Sequence, residues 1–178
     1  MSGWRPGDRR PDPASMLRVN QAGEYGATRI YAGQLAVLRA NSPTSKLIAR
    51  MDGQERRHLQ RFNALMAERR VRPTILQPIW NVAGFALGAA TALMSEKAAL
   101  ACTDAVETEI DLHYGQQLED LGDSDPILSA EIEDFRAEEV EHRDSAREAG
   151  AADAFGYPVL TAAVRAACRL AIGVSKRI

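Results

Sequence analysis

Two Glu-x-x-His motifs, Glu55-Arg56-Arg57-His58 and Glu139-Val140-Glu141-His142, sit on stripes that belong in a protein core. In a helix, positions three apart share one face, so each motif projects a carboxylate and an imidazole side by side. The stripe around the first runs Met51, Glu55, His58, Phe62 and Leu65. Around the second it runs Leu128, Ile132, Phe135, Glu139, His142 and Ala146. Two further stripes carry the same anomaly. Leu17, Glu24, Tyr31, Leu35 and Leu38 form one; Leu100, Thr103, Glu107, Ile110, Tyr114, Leu118 and Leu121 form the other. An unpaired carboxylate in a core costs several kcal/mol, so four of them require compensating positive charge.

Helical punctuation surrounds these stripes. Asn41-Ser42-Pro43 and Ser124-Asp125-Pro126 each place a capping residue before a proline suited to the first helical position. Pro73, Pro78 and Pro158 divide the remaining chain, and no run alternates with period two for long enough to make a strand. The pattern predicts an all-α protein with helices near 14–40, 43–70, 76–93, 95–121, 126–149 and 158–175. Four of these form a bundle. The two more apolar ones, the third and the sixth, are added to it.

The chain is also internally duplicated. Glu24 and Glu107 are 83 residues apart, while Glu55 to Glu139 and His58 to His142 both span 84. On that offset Tyr31 matches Tyr114, Gln34 matches Gln117 and Leu35 matches Leu118. A two-helix unit used twice brings Glu24, Glu55, His58, Glu107, Glu139 and His142 together about a pseudo-twofold axis. Four carboxylates and two imidazoles are the ligand set of a ferritin-like dinuclear site, where two divalent cations neutralise four negative charges. Oxygen and nitrogen donors without cysteine suit iron or manganese. Glu138 and Glu141 fall off the stripe and read as solvated. His113, six residues after Glu107, lies about a third of a turn away and reads as a helix-flank histidine. Tyr114 returns to the ligand face, where it is core, the repeat partner of Tyr31, or a relay beside the metals.

Composition excludes several classes. With 178 residues the chain is long enough for one domain with a real core. A net charge of −2 gives no basic field for nucleic acid. Cys102 and Cys168 lack any partner spacing, which argues against a disulfide scaffold or structural zinc. Residues 1–13 read as a loose, flexible arm without an apolar signal core, ahead of a single domain over 14–178.

Two segments are unusually apolar. Residues 73–95 contain no charged side chain, yet Pro78 and Asn81 interrupt them. A buried core helix is one reading. An interfacial helix is the preferred one, with Trp80 and Phe85 at the boundary and Arg69, Arg70 and Arg72 ahead of it. The last helix, 158–175, sets Leu160, Val164, Ala167 and Ala171 on one stripe beside Arg165 and Arg169. It docks on a membrane or partner, or packs on the bundle. The two segments favour peripheral attachment over spanning.

The blocks NQAGEYGA around Glu24, QERRHLQRF around Glu55 and His58, DAVETEIDLHYG around Glu107, and EEVEHRD around Glu139 and His142 resemble the demethoxyubiquinone hydroxylases of ubiquinone biosynthesis. The likeness runs from about Met16 to the C-terminus. It implies a ferritin-like diiron monooxygenase that hydroxylates a polyprenylated demethoxy-benzoquinol, with O2 and electrons from NADH. It assigns Glu24, Glu55, His58, Glu107, Glu139 and His142 as ligands to two iron ions, with Glu55 and Glu139 bridging. His113-Tyr114 matches the family's His-Tyr pair, which implies a role in substrate or electron transfer. No glycine fingerprint for a dinucleotide is visible.

The resemblance further implies peripheral attachment to the membrane that holds the quinone. For a bacterial member this is the cytoplasmic face of the inner membrane; for a eukaryotic one it is the matrix face of the mitochondrial inner membrane. An accessory ubiquinone-biosynthesis protein and a homo-oligomer are possible partners. The competing functions for such a bundle are a rubrerythrin-like peroxidase, which normally adds a domain with paired CxxC motifs, and a ferritin-like iron store, which builds a hollow shell.

Overall fold

In the computed structural model, residues 12–176 are described, so residues 1–11 of the expected arm and the C-terminal Arg177 and Ile178 lie outside them. Six α-helices follow one another: α1 Pro13–Val37, α2 Pro43–Arg69, α3 Gln77–Met94, α4 Glu96–Leu121, α5 Pro126–Glu148 and α6 Tyr157–Ser175. A short 3-10 turn, Ala151–Asp153, joins α5 to α6. No strand occurs among the described residues.

Side-chain caps begin four of the helices. Asp12, Ser42, Ser95 and Asp125 accept hydrogen bonds from the backbone N–H of Ser15, Ser45, Ala98 and Leu128, respectively. Pro13, Pro43 and Pro126 occupy first-turn positions, where a missing N–H costs nothing. Asp12 and Pro13 therefore belong to α1 rather than to an arm. At the other end α1 stops at Val37, short of the expected residue 40. Leu38 is extended and Asn41 turns left-handed at φ 64°, because the chain must reverse and deliver Ser42 in the extended form that a following proline requires.

The helices α1, α2, α4 and α5 make the bundle. Their inward stripes bury Leu17, Ile48, Met51, Phe62, Leu65, Leu100, Leu128 and Ile132. The third helix packs on α1, and α6 packs on α4. Each half of the duplication is thus three helices long in space, a hairpin followed by a helix that returns to cover the hairpin's first member. The α1–α3 contact is close enough to need glycine. A Cβ on Gly88 would lie 1.9 Å from the Ile30 carbonyl oxygen, and one on Gly33 would lie 2.2 Å from that of Phe85.

Covering the bundle leaves both added helices apolar on the outside. Ile79, Val82, Leu93 and Met94 of α3 are exposed, as are Val159 and Leu170 of α6. By length and composition alone, α6 is the one helix among the described residues apolar enough to cross a membrane. Its two arginines reach back to the bundle. Arg165 and Arg169 both bind the buried Glu109 of α4, at 2.6 and 2.7 Å, so these charges fasten α6 to the bundle.

Candidate metal centre

Four helices deliver one side-chain cluster to the middle of the bundle. Glu24 of α1, Glu55 and His58 of α2, Glu107 of α4, and Glu139 and His142 of α5 are each at most 1 % exposed. Their donor atoms fall into two overlapping groups able to hold a cation. One is Glu24, Glu55, His58 and Glu139; the other is Glu55, Glu107, Glu139 and His142. Glu55 and Glu139 belong to both groups, which is the arrangement of two adjacent ions with two shared carboxylates. Both imidazoles turn Nδ1 inward. His58 Nδ1 lies 3.2 Å from Glu139 and 3.5 Å from Glu24, and His142 Nδ1 lies 3.1 Å from Glu55 and 3.2 Å from Glu139.

The chemistry of the cluster fits metal. Both oxygens of Glu55 and of Glu139, one each of Glu24 and Glu107, and Nδ1 of both histidines are buried without a satisfied hydrogen bond. Native interiors rarely leave such atoms unpaired unless something else binds there. Burial pushes the Glu55, Glu107 and Glu139 carboxyls upward; Glu139 adds repulsion on Glu55 and Glu107, and Glu24 adds it on Glu139. Burial lowers the His58 imidazole, but contact with Glu139 and Glu24 outweighs it and pushes the group up to about 10. Protons are the metal-free compensation for this charge; divalent cations are the alternative that satisfies every orphaned atom at once.

A ring of hydrogen bonds surrounds the six residues and crosses between the repeats. Tyr114 donates to Glu24, and Tyr31, its repeat partner, donates to Glu107. Burial and the neighbouring carboxylates raise both phenols well above their ordinary value, so each keeps its proton. Gln117 and Asn20 exchange two 2.8 Å bonds, while Gln34 binds the Ala99 carbonyl at 3.0 Å. Phe135 stacks on the His58 ring at 4.1 Å between centroids. On the outer side His58 Nε2 meets Glu138 at 3.2 Å, and His142 Nε2 meets Gln54 at 3.1 Å.

Glu138 is therefore not the solvated side chain that its position off the stripe implies. It reaches across to α2 and binds His58, Gln54 and Arg57. Glu141, by contrast, is exposed. Gln54 and Glu138 are the residues that stripe reading missed or misassigned; the offset of 84 between them was the available signal.

His113 lies apart from the six. Its Nε2 is 2.9 Å from the Gln117 side-chain nitrogen, which makes the ring an acceptor there. It borders a surface cleft with Glu109, Leu112, Arg169 and Lys176. Burial, and then the Lys176 charge, lower it to about 4, so it is neutral near pH 7.

A second opening is apolar. The helices α3 and α6 flank a groove of about 110 Å³ whose floor is α1 and α4. Trp80 lines one wall and Cys168, Ala171 and Ile172 the other. Gly23 and Val106 on the floor are the chain neighbours of Glu24 and Glu107.

Comparison with known proteins agrees with this geometry. A family profile described as "Ubiquinone biosynthesis protein COQ7" matches residues 12–175. The chain is 53 % identical over 177 residues to a 3-demethoxyubiquinol 3-hydroxylase of Rhodospirillum rubrum, covering 97 % of this chain and 82 % of that protein. It is 49 % identical over 167 residues to the human NADPH-dependent 3-demethoxyubiquinone 3-hydroxylase, mitochondrial, covering 92 % and 76 %. To the mitochondrial 5-demethoxyubiquinone hydroxylase of Saccharomyces cerevisiae it is 42 % identical, with coverage of 92 % and 77 %. Matched along nearly its whole described length, the chain belongs to the COQ7 family of ubiquinone biosynthesis proteins.

Proposed function

We propose that this protein is a two-iron monooxygenase that hydroxylates the ring of a polyprenylated demethoxyubiquinol, using O2 and electrons from a reduced nicotinamide. The observation that carries the reading is the pair of buried ligand groups sharing Glu55 and Glu139. Glu24 and His58 would complete one iron position, Glu107 and His142 the other. The substrate follows from the relatives, named as hydroxylases of demethoxyubiquinol or demethoxyubiquinone. The resemblance implies NADH as donor, whereas the human relative's name specifies NADPH; both deliver the same pair of electrons.

The irons, when bound, supply the redox and Lewis-acid chemistry that activates O2. The protein's own side chains prepare the site for it. Tyr31 and Tyr114 hold the outer carboxylates Glu107 and Glu24 by hydrogen bonds and retain their protons. Buried Leu17, Met51, Phe62 and Leu100 keep water from the centre. The apolar groove takes the prenyl tail, so that the ring approaches beside Glu24 and Glu107. His113 and Tyr114 lie between the polar cleft and the centre and serve substrate positioning or electron entry.

Attachment to the quinol's membrane uses the outer faces of α3 and α6. Val82, Leu93, Val159 and Leu170 stand exposed on the helices that flank the groove, which supports a peripheral dock that hands the lipid directly to the opening. The membrane is the inner one, on the cytoplasmic side in a bacterium and the matrix side in a mitochondrion. A lipid-presenting partner or a second copy of the chain would cover the same surface.

The test is to incubate iron-loaded protein with a demethoxyquinol, reduced nicotinamide and 18O2. A product heavier by one labelled oxygen is expected, and Glu139→Ala should abolish both iron loading and product. Unlabelled product, or full activity in a diiron-loaded Glu139→Ala variant, contradicts the reading. Peroxide consumption without hydroxylation would place the protein with the rubrerythrin-like peroxidases, and a 24-subunit shell with the iron stores.

A further inference from the structure

One pair of equivalent positions beside the centre differs in charge. Gln54 and Glu138 each precede a shared glutamate, and each crosses to the imidazole of the other half. Their contacts fix the roles of every atom. The Glu138 carboxylate only accepts, so His58 Nε2 donates to it at 3.2 Å. Gln54 Nε2 donates to the same Glu138 oxygen at 2.9 Å, which orients the amide and turns its oxygen toward His142 Nε2 at 3.1 Å. Both rings therefore carry a proton on the outer nitrogen, which leaves Nδ1 as the atom a cation would take. What differs is charge. His58 leans on a carboxylate that Arg57 also binds at 2.9 Å, whereas His142 leans on an amide.

An imidazole that donates to a carboxylate is a stronger electron donor through its other nitrogen than one that donates to an amide. We infer that Glu138 and Gln54 make the two metal positions unequal, with the His58 side binding a divalent cation first and more tightly than the His142 side. This rests on the two-metal reading above and adds to it an order of loading and an electronic asymmetry. Glu138 and Gln54 act through the histidines and are positioning residues. The duplication supplies matching ligand types at both ends, and the Glu-for-Gln difference makes the charge behind them unequal.

The test titrates the metal-free, full-length protein anaerobically with Co(II), following ligand-field absorbance and the shifted imidazole N–H resonances of bound histidine. The wild type should bind two ions in two steps separated about tenfold or more. E138Q keeps an acceptor for His58 without the charge, so the first step should weaken about tenfold while the second stays within about twofold, merging the steps. The swap variant Q54E/E138Q moves the carboxylate to His142, so the steps should separate again and the first imidazole signal should come from the other histidine. A role confined to packing would instead weaken both steps and lower helicity together in E138Q, without reversal in the swap. Should E138Q not fold, the swap, which keeps one amide and one carboxylate across the helix pair, decides alone. Two ions bound with equal affinity, or steps unchanged in both variants, overturns the asymmetry and leaves the two-metal reading standing. Binding of fewer than two ions by the wild type overturns both.

Discussion

Tyr114 of the fourth helix donates its phenolic hydrogen bond to Glu24 of the first, and by the same relation across the repeat Tyr31 donates to Glu107. Each half of the molecule thus restrains the outer carboxylate of the other. Two binding half-sites that hold one another have a fixed spacing only when the halves are docked, so the duplication couples folding of the bundle to assembly of the centre.

Removing either hydroxyl strands a buried carboxylate oxygen. Tyr31→Phe and Tyr114→Phe are each expected to destabilise the metal-free protein by about 1–3 kcal/mol. Both should also retain iron less well during dialysis against a chelator. Denaturant unfolding of the single variants measures the first effect; a loss below about 0.5 kcal/mol in both would show that the hydroxyls do not restrain the glutamates.

His113 gives a pH dependence whose sign is fixed. Its folded value of about 4 lies below the ordinary 6.5, so between those limits the unfolded chain binds more protons at this site than the folded one. Its contribution to stability is complete above about pH 6.5 and is lost as the pH falls toward 4. The charged groups around it are Arg169 of α6, Lys176 just past the end of that helix, and Glu109 of α4. His113→Gln should flatten the decline of stability between pH 6.5 and 4 relative to the wild type. An identical slope in the two proteins contradicts the burial of a neutral imidazole.

Gly26 lines the apolar groove and has nothing within 4 Å of where a Cβ would sit. Gly26→Leu should leave the bundle intact, and even stabilise α1 by about 1 kcal/mol through helix propensity. The added side chain occupies the space assigned to the prenyl tail. KM for a long-chain demethoxyquinol should rise about tenfold or more with iron content unchanged, and a substrate without the chain should be affected less. An unaltered KM would place the tail elsewhere.

Gly88 tests what holds the third helix down. With the Ile30 carbonyl only 1.9 Å from an added methyl, Gly88→Ala cannot keep the observed approach of α3 to α1. A cost of about 1–3 kcal/mol is expected in thermal or denaturant unfolding, together with greater binding of an apolar dye as the helix lifts. An unchanged midpoint would mean that the two helices stand further apart at this point.

Much of this architecture was legible in the sequence because its signals are local. Proline after a capping residue marked the starts of α2 and α5, and a carboxylate recurring on an apolar stripe marked the six residues at the centre. The ring around them was not legible, because helix periodicity reports which face a residue occupies and not how far its side chain reaches. Glu138 stands one position off the ligand stripe, which on an isolated helix means solvent. Only the register of α5 against α2 brings its carboxylate to His58. Arg165 and Arg169 show the same limit. Two arginines one turn apart fit docking or packing equally, and only Glu109 on the neighbouring helix, which binds both, shows that they hold α6 to the bundle.

The most direct test of the account is anomalous diffraction at the iron edge from crystals of the iron-loaded protein. Two peaks about 3.5–4 Å apart are expected, one against Glu24 and His58 and the other against Glu107 and His142, with Glu55 and Glu139 between them. A single peak, or iron bound away from these six side chains, would contradict it.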